Sequence, residues 1–489
     1  MKNVNLIYGV NDKPGIWKTL LFAFQQVLAI LAATIVVPVI INGATGSNMS
    51  QSAALFGAGC GTLVYLLFTK FKSPVFLGSS FAFIGSMCAS FGGAGAYLSL
   101  GYLGLILGAI FAGLVYVIIA IVVKFAGVNW IDKIMPATVI GPTVAVIGLS
   151  LAGNAIGDLT KGSVMVGVPG LIIKDNALEA VTNFVPTASP YIALLCGLVT
   201  LLTVVVCSVY GKKMLKMIPF VMGILAGYVV ASIFTVIGLL ADVPELQVIN
   251  FSLFKNMSFV PEFTFIEAFK GIGDVTNFNW GAFIVTIIVA YVPVAFVVFA
   301  EHLADHKNIS SIIGEDLLKD PGLHRTLLGD GVGSMVGALF GGCPNTTYGE
   351  SVGCVAISGN ASVITIFFTA IICILAAFVA PFVTFLATIP SCVMGGVCVA
   401  LYGFIAVSGL KMIQKVDLSE NANLFTVSVI LIAGVGGMVL KIGAVTVTSV
   451  ACALILGIII NLISGRAIKK ELAEKEEVVA DKVEQPVEE

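Results

Sequence analysis

The chain reads as an all-α integral membrane protein with fourteen transmembrane helices, arranged as two inverted repeats of seven with a broken third and a broken tenth span. Three observations point there. Of its 489 residues, 58% are hydrophobic and only 11% charged, against about 25% charged in ordinary soluble chains. Apolar runs long enough to cross a bilayer recur along most of the length. Two segments at corresponding places in the two halves are short and interrupted by glycine and proline.

At roughly 20 apolar residues per crossing, spans fall near 17–42, 52–69, 74–90, 99–124, 135–153, 189–209, 216–240, 279–300, 322–341, 343–358, 361–388, 389–411, 420–438 and 443–464. The first run is too long for a signal-peptide core and no small-residue cleavage pattern follows it, so it is expected to be a span. Lysine and arginine gather on one side of this arrangement: Lys2, Lys13 and Lys18 before the first span, Lys70 and Lys72 after the second, Lys124 and Lys133 after the fourth. Lys212, Lys213 and Lys216, then Lys307 and Lys319, Lys411 and Lys415, and finally Arg466, Lys469 and Lys470 continue the bias. The exceptions are Lys161, Lys174, Lys255, Lys270 and Lys441. By the positive-inside rule both termini are expected in the cytoplasm, and an even number of crossings requires the same. The expected location is a cell (inner, cytoplasmic) membrane.

The third span contains Ser73-Pro74-Val75-Phe76-Leu77-Gly78-Ser79-Ser80-Phe81 and the tenth runs from Cys343 through Glu350. With seven crossings per half, these two segments point in opposite directions. Paired interrupted segments in inverted halves mark a transporter binding site, because a broken helix aims free N–H groups into the cavity. Glu350 ends the second of these segments, and Glu301 follows an apolar run. A carboxylate at bilayer depth costs at least a few kcal/mol unless it is paired, protonated or facing water, so both are site candidates by default.

Residues 241–278 are expected to form a long external connection, either with a short amphipathic stretch at the interface carried by Phe263, Phe265, Ile266, Phe269 and Ile272 or as an irregular loop covering the exterior. Residues 471–489 hold eight acids against Lys475 and Lys482, a local charge of −6, which leaves the rest of the chain near +4 for a net −2. This tail has too few apolar residues for a core. The ten cysteines fall almost entirely in apolar runs without a CxxC pair and are expected to be reduced packing residues. His302 and His306 stand at i, i+4, but a metallopeptidase places its acid between two such ligands, and Glu301 precedes both. No metal, cofactor or nucleic-acid partner is expected, no ATP-binding loop is present, and the chain is not expected to be an enzyme.

At Glu301-His302-Leu303-Ala304-Asp305-His306, Asp320-Pro321-Gly322-Leu323-His324-Arg325 and Pro344-Asn345-Thr346-Thr347-Tyr348-Gly349-Glu350 the sequence resembles the nucleobase-ascorbate transporter family (nucleobase:cation symporter-2), and within it the bacterial uracil branch. The resemblance extends to Gln25-Gln26 and Ala32-Ala33, to Gly78-Ser79-Ser80-Phe81-Ala82-Phe83, and to Met394-Gly395-Gly396 with Tyr402-Gly403. It implies a core domain (17–133 and 279–388) and a gate domain (134–240 and 389–464), joined by the external loop 241–278 and followed by the acidic cytoplasmic tail 465–489. It also implies proton-coupled symport of uracil, and a homodimer. Glu301 and Glu350 would accept hydrogen bonds from ring N–H groups, backbone amides at Phe81 and around Gly349 would donate to ring carbonyls, and Ala33 and Tyr348 would line the pocket. Proton coupling is assigned to Glu301, Asp305 and His302. Asp305 stands where uracil permeases usually carry histidine, and this acid pair, fully ionised, would attract sodium instead. The competing functions are a xanthine or purine permease of the same family, and an anion transporter or channel on the same inverted-repeat fold.

Overall fold

The computed structural model describes residues 6–127, 136–174, 177–212, 214–255, 257–270, 272–442 and 445–464. The acidic tail, the expected boundary between core and gate at 133/134, and Lys2, Lys133, Lys213, Arg466, Lys469 and Lys470 lie outside the described residues.

The protein is essentially all helical. Among the described residues, eight helices are long and apolar enough to cross a membrane: Ile16–Thr45, Gln51–Phe68, Leu98–Ala126, Ala137–Asp158, Pro190–Tyr210, Pro219–Leu240, Trp280–Ile313 and Ser391–Ile413. This is fewer than fourteen, for identifiable reasons. The run expected as one span at 361–388 is two helices, Val363–Ala376 and Ala380–Thr388, bent by 83° at a short break. Helices Asn421–Val435 and Ser449–Ser464 are apolar but short. Leu323–Gly341 carries His324, Arg325 and Asp330 within its 19 residues. The two interrupted segments are each a three-residue strand followed by a short helix: Leu77–Ser79 before Ile84–Ala94, and Asn345–Thr347 before Gly349–Ser358.

Those strands pair antiparallel inside the helical bundle, with Leu77 opposite Thr347, Gly78 opposite Thr346 and Ser79 opposite Asn345. Extended backbone in an apolar interior needs its N–H and C=O groups satisfied. The pair meets this mutually, extended by Ser80 N–H donating to Pro344 O at 2.9 Å and Tyr348 N–H to Phe76 O at 3.1 Å. Thr62 adds side-chain bonds, accepting from Leu77 N–H at 2.9 Å and donating to Leu77 O at 3.2 Å. The strands therefore hold two helix N-termini at the middle of the fold.

The helices pack in two groups. Leu323–Gly341 lies against Gln51–Phe68 and Leu98–Ala126, and Trp280–Ile313 against Leu98–Ala126 and Ile84–Ala94. Ser391–Ile413 lies against Ala137–Ser150 and Pro190–Tyr210, which in turn packs on Pro219–Leu240. Glycine makes the tightest of these approaches possible. A Cβ on Gly333 would sit 2.7 Å from the carbonyl oxygen of Gly61, and one on Gly61 would sit 2.6 Å from that of Gly333. Close helix approach through small residues is a main source of cohesion in membranes. Gly333→Val is accordingly expected to lower stability by about 1–3 kcal/mol or more through overpacking, seen as a lower melting temperature in detergent.

Outside the bundle, Met165–Lys174 and Ala177–Pro186 form a hairpin in what the sequence offers only as a connection. The 241–278 segment forms only short helices among its described residues. The longest, Thr264–Phe269, is only six residues long. The Phe263 ring packs edge-on to Phe56 at 5.0 Å and to Phe340 at 5.7 Å, tying the loop to the ends of two bundle helices. Phe269 stays exposed.

Candidate functional site

The site is organised by one long helix with two polar faces. Trp280–Ile313 is started by Asn279, whose side chain accepts from Ala282 N–H at 3.0 Å, and is stopped by Gly314 in the left-handed conformation. Near its end, Glu301 and Asp305 fall one turn apart on one face, and His302 and His306 one turn apart on another, about 100° around.

The acid face is half-buried and lines a cavity of about 380 Å³ together with Gly349 and Glu350 from the start of the Gly349–Ser358 helix. Glu350 occupies the first turn of that helix, where a negative charge is favoured by the unpaired N–H groups and the helix dipole. Asp305 is held from the strand: Thr347 Oγ1 donates to its Oδ2 at 2.8 Å. The opposite wall is Phe220, Leu401, Phe404 and Ile405, with Lys216 at the rim, from the second helix group. The volume lies in the range of small-molecule pockets. Three carboxylates and one lysine give it a net acidic lining.

The histidine face turns away from the cavity into the bundle. His302 Nδ1 lies 2.6 Å from Asp330 Oδ2 and its Nε2 lies 3.0 Å from Thr326 Oγ1. His306 Nδ1 donates to the His302 carbonyl at 2.8 Å, and its Nε2 meets Tyr65 Oη at 2.7 Å, which also bonds Ser73. Both rings are fully buried and stacked, with centroids 4.0 Å apart. The helix continues past His306 to Ile313, and its neighbours cover both rings.

Of the residues singled out in the sequence, Glu301, Asp305, Gly349 and Glu350 share the cavity. Tyr348 is buried in the wall behind it, its hydroxyl donating to Ser79 O at 2.9 Å, and its ring fills the space that a side chain at Gly78 would need. Ala33 is buried in the Ile16–Thr45 helix. Phe81 lines a different cavity of about 180 Å³, with Ser86, Ser150, Asn154 and Thr448, and its ring meets Tyr402 edge-on at 6.1 Å. The helix Ala137–Ser150 borders both spaces, with Val144 on the first and Ile147 on the second.

Four contributors are added by the structure. Thr347 positions Asp305. Ser351 Oγ accepts from Phe76 N–H at 3.1 Å and is also bonded by Gln26 Nε2, fixing the short helix that carries Glu350. Lys216 enters the cavity rim from the turn Met214–Met217. Thr347 and Gln26 stand inside motifs already conspicuous in the sequence, whereas nothing in the sequence distinguishes Lys216 from the other lysines on its side.

A family model described as Permease family (Xan_ur_permease) matches residues 17–443. The chain belongs to this permease family. Among curated proteins it is 37% identical to the uracil permease of Bacillus subtilis (strain 168), over 97% of this chain and 98% of that one. It is 35% identical to the uracil permease of Bacillus caldolyticus, over 94% of each. Among solved structures, the transmembrane domain of the cyanobacterial bicarbonate transporter BicA aligns with a TM-score of 0.56 at 14% identity, covering 93% of this chain and 99% of that one. The murine anion transporter Slc26a9 in the inward-facing state aligns with a TM-score of 0.58 at 13% identity, covering 93% and 69%. At such identities the last two establish the fold alone. The permease is thus a multi-pass membrane transporter and not an enzyme.

Proposed function

We propose that this permease carries uracil into the cell as a secondary active transporter, by proton symport and alternating access. The observation that carries the reading is the convergence of Glu301, Asp305 and Glu350 with a helix N-terminus on one cavity, in a chain whose full-length relatives are named uracil permeases. Uracil is a flat neutral ring with alternating N–H donors and C=O acceptors. Carboxylates accept from the N–H groups and the helix N-terminus at Gly349 donates toward a carbonyl, so the cavity offers both kinds of partner that the ring needs. A site that pairs each edge rejects analogues that leave a buried group unpaired.

In this reading the chain crosses the membrane fourteen times in two inverted repeats, with the strand-plus-helix segments as the third and tenth crossings. Residues 17–133 and 279–388 form the core, and 134–240 and 389–464 the gate. The cavity then lies between them, with Lys216 and Met412 in its lining, and the lysine bias places Lys216 on the cytoplasmic side. Both termini are then inside, and gate helices provide a homodimer contact. Glu301 and Asp305 handle the coupled proton. His302 faces Asp330 and supports the helix without touching the substrate.

An anion is the second reading, favoured by Lys216 at the rim and by the fold shared with a bicarbonate transporter. Three carboxylates around the same space weigh against it. Uptake of radiolabelled uracil, xanthine and bicarbonate into proteoliposomes with imposed pH or sodium gradients decides among them, and uptake of bicarbonate alone would end the uracil reading. In the same assay Asp305→Asn is expected to alter the pH profile of uptake and leave uracil specificity intact. A wild-type profile would remove Asp305 from proton handling, and a requirement for sodium at fixed pH would replace the proton altogether.

A further inference from the structure

A second, much smaller space lies on the far side of the histidine face. It is a cavity of about 10 Å³ whose polar lining is Tyr116, Asp330, Ser334 and Asn345, with apolar residues including Phe83 and Val298 making up the rest of the wall. Three buried polar atoms on its lining have no hydrogen-bond partner among the described residues: Tyr116 Oη, Asp330 Oδ1 and Asn345 Oδ1. All three residues are at most 4% exposed. The partnered halves of two of them fix which atoms are left. Asp330 commits Oδ2 to His302 Nδ1, and Asn345 donates its Nδ2 to Gly57 O at 3.2 Å, leaving its oxygen free.

An unpaired polar atom in a low-dielectric interior costs on the order of 1–3 kcal/mol, so three around one space call for a common partner. The volume is about the least that holds a single water molecule. We propose that this cavity is a binding site for one water molecule, which donates to Asp330 Oδ1 and Asn345 Oδ1 and accepts from the Tyr116 hydroxyl. The donor and acceptor count matches water, which typically makes about three bonds when buried. A monovalent cation matches less well, because it would take the Tyr116 lone pair and leave that hydroxyl's hydrogen with no acceptor. The water would bridge three separate elements: the Leu98–Ala126 helix, the Leu323–Gly341 helix and the strand that leads to Glu350. It would thereby pin that strand to the Asp330–His302 pair.

The test is the sign of two stability changes in the full-length protein, with an experimental map. Tyr116→Phe keeps the shape and removes the donor. With water present it forfeits a hydrogen bond and the melting temperature falls; in a dry cavity it deletes an orphaned hydroxyl and the melting temperature rises or holds, which would overturn the proposal. Ser334→Val fills the space, and is expected to lower the melting temperature by about 2 °C or more by stranding the remaining oxygens. If Ser334→Val fails to fold, the isosteric Tyr116→Phe still decides. A map resolving ordered waters should place one peak within hydrogen-bond distance of all three atoms. No peak there, or a wild-type melting temperature that rises with sodium chloride but not with choline chloride, would refute water as the occupant.

Discussion

Glu350→Gln is expected to weaken uracil binding by roughly 100-fold or more. The amide keeps the size of the side chain but loses a charge-assisted acceptor, and its NH₂ can be set against a ring N–H. Hydrogen bonds to a charged group contribute about 1.5–3 kcal/mol, and two opposed donors add the cost of leaving both unpaired. Together these reach about 3 kcal/mol, which is a little over two decades in Kd. Glu350 also sits where the helix N-terminus favours negative charge, so the variant gives up that attraction as well. Calorimetry on the purified variant, checked for an unchanged melting profile, measures the effect. Wild-type affinity in a folded Glu350→Gln protein would take Glu350 out of the substrate site.

Glu301→Gln is expected to separate accumulation from exchange. Glutamine cannot take up or release a proton, so uptake driven by a pH gradient is lost. Counterflow of labelled for unlabelled uracil needs only the site and the conformational change, and persists. The companion acid one turn away, Asp305, accepts a hydrogen bond from Thr347. Concentrative uptake that survives in Glu301→Gln would move the proton to another group, with Asp305 the first to test.

How much of this was legible in the sequence differs from residue to residue. Glu301 and Glu350 stand out because a charge beside a bilayer-length apolar run has few structural explanations, and the structure does bring them to one cavity with Asp305. The interrupted segments stand out because glycine and proline fall in apolar runs that are already short for a crossing. What they form was not legible: the three-residue strands exist only because each supplies the other's hydrogen bonds, a relation between positions some 270 residues apart. Phe81 illustrates the same limit. Its place next to the motif says nothing about which side of the crossing its ring takes, and it lines the other cavity. Asp330 reads as a helix-packing partner from its glycine-rich surroundings, but its pairing with His302 depends on the rotation of two helices about their axes. The break at 377–379 does not show in hydropathy, which carries no angle; the local signal for it is Pro381, in the first turn of the second helix.

The division of the Trp280–Ile313 helix into an acid face and a histidine face has a consequence for how this gene can vary. Loss or gain of one residue in the stretch between Trp280 and Ala300 would turn everything downstream by about 100°. The imidazoles that now meet Asp330 and Tyr65 would exchange places with neighbours whose shape and charge fit neither environment. Point changes at exposed positions of that stretch, Ile284 or Val285 for example, leave the phase untouched. In a deletion scan the helix should therefore behave as a counted spacer, intolerant of any change in length even where single substitutions pass unnoticed.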